Sequence, residues 1–88
     1  MILARPKNNK AEILFTLLEK GSVSIEDFPY LSGFRTRVSE LVRIDEIPLS
    51  HKSKVGKNKF GNSFTYREHH LPDIFREHAL HKYNSINS

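Results

Sequence analysis

The sequence predicts a mainly α-helical α+β chain whose β structure is a single hairpin, with one further helix after it. Three observations predict this. Apolar residues recur at helical spacing from Ile13 to Leu18, from Phe34 to Val42 and from Leu71 to Tyr83. Between the last two stretches the period drops to two, with Phe64 and Tyr66 alternating with Ser63, Thr65 and Arg67. Gly56 and Gly61-Asn62 bracket a Lys- and Asn-rich stretch, so this region is expected to fold back on itself as a hairpin with a flexible tip. The 88 residues suffice for one domain with one modest core.

Taken in order, Asn9 followed by Glu12 reads as a capping box, in which two side chains satisfy two otherwise unpaired backbone donors; the first helix is expected to start there. Ile13, Leu14, Leu17 and Leu18 form its apolar stripe, and Lys20-Gly21 offers a cation for the last turn and a left-handed stop. Ser24 with Asp27 repeats the start signal, and Val23 and Phe28 sit where a hydrophobic staple would hold the entry to a second helix. Pro29 removes an amide donor and pushes Phe28 out of the α region, so this helix should be very short or distorted, with Leu31-Ser32-Gly33 as the turn after it.

In the third helix Phe34, Val38, Leu41 and Val42 fall on one face, expected to be buried. The opposite face holds Thr36, Ser39, Glu40 and Arg43, flanked by Arg35 and Arg37. Ile44, Ile47 and Pro48 mark the exit, and Leu49 to Val55 can be extended. Phe60, Phe64 and Tyr66 share even spacing and are expected to pack into the core from one strand face. Pro72 and Asp73 suit the first turn of a last helix, along which Leu71, Ile74, Phe75, Ala79 and Tyr83 form a broad stripe, while the tail NSINS is too polar to pack.

Charge narrows the functional classes. Fourteen Lys and Arg stand against ten Asp and Glu, a net charge of +4. From His51 to Arg67 the cations Lys52, Lys54, Lys57, Lys59 and Arg67 occur with no carboxylate, a local field that attracts polyanions. The absence of Cys excludes disulfides and thiolate metal sites and fits a reducing cytoplasm. There is no apolar run long enough to span a membrane, and MILARPKNNK lacks the apolar centre of a signal peptide, so a cytoplasmic location is expected. His78 and His81 are one helical turn apart, but a structural zinc site wants four ligands and the neighbouring His69-His70 pair points to opposite strand faces; no metal and no cofactor is expected. With no Gly-x-Ser-x-Gly turn, phosphate-binding Gly loop, zincin helix or apolar pair of carboxylates, no catalysis and no small-molecule ligand is expected either.

TRVSELVR followed by a basic hairpin ending in SFTYR resembles the small winged helix-turn-helix proteins of phages and other mobile elements, in which an R-[IV]-S-E-L core motif lies on the recognition helix. The resemblance covers roughly Lys10 to Leu71, and departs from the family where Ile44-Asp45-Glu46 stands in place of a helix-breaking Gly. It implies a winged helix-turn-helix over 9–71, after an N-terminal arm (1–8) and before an added C-terminal helix (72–84) and a flexible tail (85–88). It also implies sequence-specific binding of double-stranded DNA, as a transcriptional regulator or an excision or replication accessory factor. On that reading the recognition helix offers Arg35, Thr36, Arg37, Ser39 and Arg43, and the wing offers Lys52, Lys54, Lys57, Lys59 and Arg67 to phosphates. Glu40 would accept from a cytosine amino group or orient an arginine.

Two other readings stand beside it. A winged fold can dock an acidic protein, as an inhibitor or adaptor of a host factor; an apolar patch on the third helix would mark this, and the sequence writes none. Aromatics interleaved with Lys can also stack on single-stranded DNA or RNA. The last helix, too short to stand alone, must pack either on the first helix or on its counterpart in a second copy. The homodimer is favoured, because a small winged domain presents few base contacts by itself.

Overall fold

Asn8, one residue earlier than expected, caps the first helix in the computed structural model, which describes residues 4–28, 31 and 33–87. Its side-chain oxygen accepts from the Ala11 amide at 2.8 Å, so Ala11 takes the place a capping-box carboxylate would need and Glu12 merely adds negative charge to the first turn. Helix α1 (Asn9–Lys20) then buries Ala11, Ile13, Leu14, Leu17 and Leu18. It stops where expected: Gly21 takes φ 81°, a conformation costly for any residue with a Cβ, and its amide reaches the Leu17 carbonyl at 2.8 Å.

The second helix is very short, as expected: only Ile25–Asp27 turns, as a single 3-10 turn, while Ser22–Ser24 before it forms a strand, β1, that the sequence did not lead one to expect. The start signal itself operates, since the Ser24 amide donates to Asp27 Oδ2 at 2.8 Å. A start signal does not propagate a helix, however, and Phe28 leaves the turn with φ −135° and a buried ring. Pro29 and Ser32, on which the expected end of this helix and the next turn rest, lie outside the described residues.

Helix α2 (Phe34–Arg43) has its expected bounds and buries Phe34, Val38 and Leu41. Val42 is 40 % exposed, a correction to the expected face; fully buried Ile47, returning from beyond the helix, helps to close the core. The missing Gly after this helix is replaced by Glu46, which alone among the described non-glycine residues has a positive φ, 57°. The reversal is sealed by the Ile44 amide on the Glu40 carbonyl (2.8 Å) and the Ile47 amide on that of Leu41 (3.0 Å).

Strands β2 (Ser50–Lys57) and β3 (Ser63–His70) form the expected hairpin, and β1 adds a third strand, giving an antiparallel sheet in the order β1-β3-β2. Only the root of this sheet sits on the helices, where Val23 pairs with His69. The distal strands project past the core, which corrects the expectation for the aromatics: Phe60 is 75 % exposed and Phe64 38 %, while Tyr66 is half-buried. Phe64 rests beside Tyr66 (5.8 Å between ring centres) and across Gly56, where an added Cβ would come within 2.8 Å of the Phe64 ring and of Glu26 Oε1. The tip is a hydrogen-bonded turn rather than a loose loop.

After a 3-10 turn at Asp73–Phe75, helix α3 (Arg76–Ile86) starts later and ends later than expected. Ala79 and Tyr83 are fully buried, Tyr83 packing 6.0 Å from the Phe15 ring, and Leu71 and Phe75 join the same core, whereas Ile74 of the expected stripe is 83 % exposed. The Arg76 guanidinium donates to the Leu18 carbonyl, one of those left unpaired at the end of α1. The polar tail also packs, contrary to expectation. Asn87 is buried, its Oδ1 accepting from the Lys7 amide (2.7 Å) and its Nδ2 donating to the Arg5 carbonyl (2.8 Å), while Tyr83 donates to the Ala4 carbonyl. Among the described residues no helix is long and apolar enough to cross a membrane.

Candidate nucleic-acid interface

Between α2 and the facing side of the β2–β3 ribbon runs a groove of about 830 Å³. Helical spacing builds one wall: Arg35, Ser39 and Arg43 follow one another at i, i+4 and i+8, with Val42 beside them. Strand alternation builds the other. Register places His51 opposite His69 and Ser53 opposite Arg67, so that these four and Thr65 share the face turned toward α2. Phe34, Val38 and Leu49 form the floor.

The groove has an uneven charge. Arg35, Arg43 and Arg67, His51 and His69, and the hydroxyl-bearing Ser39, Ser53, Thr65 and Tyr66 line it, and among the described residues no carboxylate does. Among the described residues none of Arg35, Arg43 and Arg67 is held in a salt bridge. His51 and His69 face each other with ring centres 6.4 Å apart. Burial holds the His69 pKa below the ordinary histidine value, helped by the charges of His51, Arg67 and His70.

The residues expected to form one contact surface are divided by the fold. Arg35, Thr36 and Arg43 are exposed and Ser39 half-exposed on α2. Arg37 departs from them: its Nη1 reaches both carboxylate oxygens of Glu40, at 3.1 and 3.0 Å, and the pair lies toward Asn8, Asn9 and Lys10 at the start of α1. Glu40 is thereby neutralised, as an ordinary i, i+3 pair would be.

The pleat splits the wing cations too. Arg67 lines the groove, and Lys57, opposite Ser63, continues the same face toward the tip, where Lys59 stands. Lys52 and Lys54, opposite Glu68 and Tyr66, belong to the outer face. There Lys54 Nζ is 3.8 Å from Glu68 Oε1, and His70 Nε2 lies 2.8 Å from the same oxygen. That face is partly acidic: besides burial, the charges of Glu26 and Glu68 and a hydrogen bond to Glu26 raise the Tyr66 pKa.

His51, Ser53, Thr65 and His69 are not among the contact residues the sequence predicts. Alternation outward from Arg67 would have found Thr65 and His69, but His51 and Ser53 join them only once the turn fixes the register. Ile44, 67 % exposed, and Val42 interrupt the polar surface of α2, which the sequence pattern had not suggested. His78 makes a 2.9 Å contact with the Glu46 carbonyl across from α3. The chain matches no known family model, and no curated protein or solved structure is significantly similar to it.

Proposed function

We propose that the protein binds double-stranded DNA as a winged helix-turn-helix module, with α2 presented to the major groove and the hairpin straddling the adjacent phosphodiester strand. The groove carries this reading: among the described residues it holds no carboxylate, and none of its three arginines is in a salt bridge. A polyanionic strand replaces the counterions such a cleft would otherwise hold, and an arginine can also take guanine O6 and N7 in a bidentate pair. The order helix, strand, turn, helix, hairpin supports the same assignment. Arg35, Ser39 and Arg43 then read base edges, with Thr36 beside them; Arg67, Lys57 and Lys59 hold phosphates. Arg37, Lys52 and Lys54 take lesser parts because of their neighbours and position. The role is that of a transcriptional regulator or an excision or replication accessory factor of a mobile element, as the resemblance of TRVSELVR implies.

Exposed Ile44 and Val42 favour a second reading, docking of another protein on α2. They are two side chains set among arginines, far short of the contiguous apolar patch such docking needs.

Titration of the protein against a short random duplex and an equal-length single strand at several salt concentrations tests the proposal. Duplex should be preferred, with affinity falling at a log–log slope of about −3 for these three phosphate contacts. Equal or better binding of the single strand, or no duplex binding at low salt, would overturn it.

A further inference from the structure

The end of the hairpin is built more firmly than a solvated loop requires. Asn58 Oδ1 accepts from the amides of Phe60 (2.9 Å) and Asn62 (3.1 Å), the Gly61 amide closes on the Asn58 carbonyl at 3.0 Å, and the Asn58 amide on that of Asn62 at 3.0 Å. What this scaffold presents is an aromatic ring. Phe60 is 75 % exposed, and the Lys59 ammonium stands 5.2 Å from its centre. Water gains nothing from an apolar ring held out on an ordered turn, and a polyanion gains nothing from the ring alone; the combination of ring and cation fits nucleic-acid bases flanked by phosphates.

We propose that Phe60 is a wedge: with one phosphodiester strand lying in the groove between α2 and the hairpin, the tip enters the neighbouring minor groove and parts a base step there, bending the duplex. This rests on the duplex-binding reading above. Reach supports it, because antiparallel strands rise about 3.4 Å per residue and Lys57 lies two positions beyond Val55, the partner of the outermost groove residue Thr65, so the tip stands roughly 7 Å or more past the held strand. A minor groove about 6 Å wide and 7.5 Å deep is of the same scale. Its shape admits a two-stranded tip only where the bases yield, which is what inserted apolar side chains bring about. Lys57 and Lys59 flank the ring, where the phosphates of the two groove edges converge, and no carboxylate lies between His51 and Arg67 to oppose them. A stacking role on single strands would draw on Phe64 and Tyr66 as well, but Glu26 and Glu68 adjoin those rings.

The test is a duplex of about twenty base pairs carrying a dye at each end, read for bending by energy transfer and for unstacked thymines by permanganate oxidation. Binding of the natural protein should shorten the dye separation and expose thymines. Phe60→Ala should abolish both while low-salt affinity stays within about tenfold and the salt slope is unchanged, and Phe60→Leu, still an apolar wedge, should restore part of each. Because the ring is exposed, both variants should keep the natural circular dichroism spectrum. Bending and thymine reactivity that survive in Phe60→Ala, their absence with the natural protein bound, or a Phe60→Ala defect confined to single strands would each overturn the wedge while leaving duplex binding intact. No duplex binding by the natural protein would overturn both.

Discussion

Arg67 lies on the hairpin yet faces the helix, so it lines the groove from the strand side. Arg67→Ala should weaken duplex binding on all sequences alike and flatten the salt slope by about one unit, whereas Arg35→Ala and Arg43→Ala should each cost roughly 1–3 kcal/mol on a preferred site and less on random duplex. Anisotropy titrations on both kinds of duplex separate these outcomes, and melting temperatures should hardly move because the arginine side chains carry no described packing role. His69 has a different signature. Its pKa is lowered in the folded chain, so between the ordinary value of 6.5 and the folded value the unfolded state binds more protons. Its contribution to stability is therefore complete above about pH 6.5 and is lost as pH falls through the folded pKa. Urea unfolding at pH 7.5 and 5.5 should show this loss, and His69→Gln should shrink it; an undiminished acid sensitivity in the variant would place the titrating group elsewhere.

Among the elements, the end of α2 holds a residue in an uncommon conformation. Glu46 occupies the left-handed region at a cost of about 1–2 kcal/mol, and Gly gives back about 0.5–1 of that gain through its freer unfolded chain. Glu46→Gly should therefore be neutral to about 1 kcal/mol stabilising and Glu46→Val clearly destabilising, as chemical unfolding would show. A destabilising Gly would mean that the reversal depends on the glutamate side chain. The elements also differ in how far the sequence revealed them. The stripes of α1 and α2 and the period-two run of β3 are local patterns, so they could be read where they stand. β1 could not: Ser-Val-Ser carries no signal of its own and becomes a strand only by pairing with Glu68 to His70, far along the chain. The same non-locality hid His51 and Ser53 and made five wing cations look like one patch, although the pleat sends Lys52 and Lys54 to the other face. Arg37 stands apart for a simpler, local reason, because a carboxylate three residues on pairs with its charge.

At the scale of the whole molecule, a small core depends on its last helix. Fully buried Ala79 and Tyr83 close the side of α1 that would otherwise face water, and the shape, 41 × 25 × 24 Å, leaves the hairpin as the projecting part. Truncation after Pro72 should lower the melting temperature sharply or prevent folding, and Tyr83→Ala alone should cost about 3–5 kcal/mol, as for a large buried aromatic. A truncated chain that melts at the natural temperature but sediments at half the mass would instead assign α3 to pairing between copies.

The fastening of Ala4–Asn8 to the last turn of α3 ties together the two segments that fray first in most domains. Neither can open by itself: releasing Asn87 frees the Lys7 amide, and lifting the N-terminal segment strands a buried carboxamide. The two segments should behave as one cooperative opening unit, distinct from the hairpin, in native-state deuterium exchange. The amides of Lys7 and Asn87 should exchange with a common opening free energy in the natural protein and both accelerate in Asn87→Ala, while the amide of Ile47, bonded to the Leu41 carbonyl in the core, keeps its rate. A Lys7 amide that exchanges as fast as an unstructured peptide would show that the fastening opens freely in water. If it holds, a lesion at the last turn of the chain will be felt at the cap of its first helix.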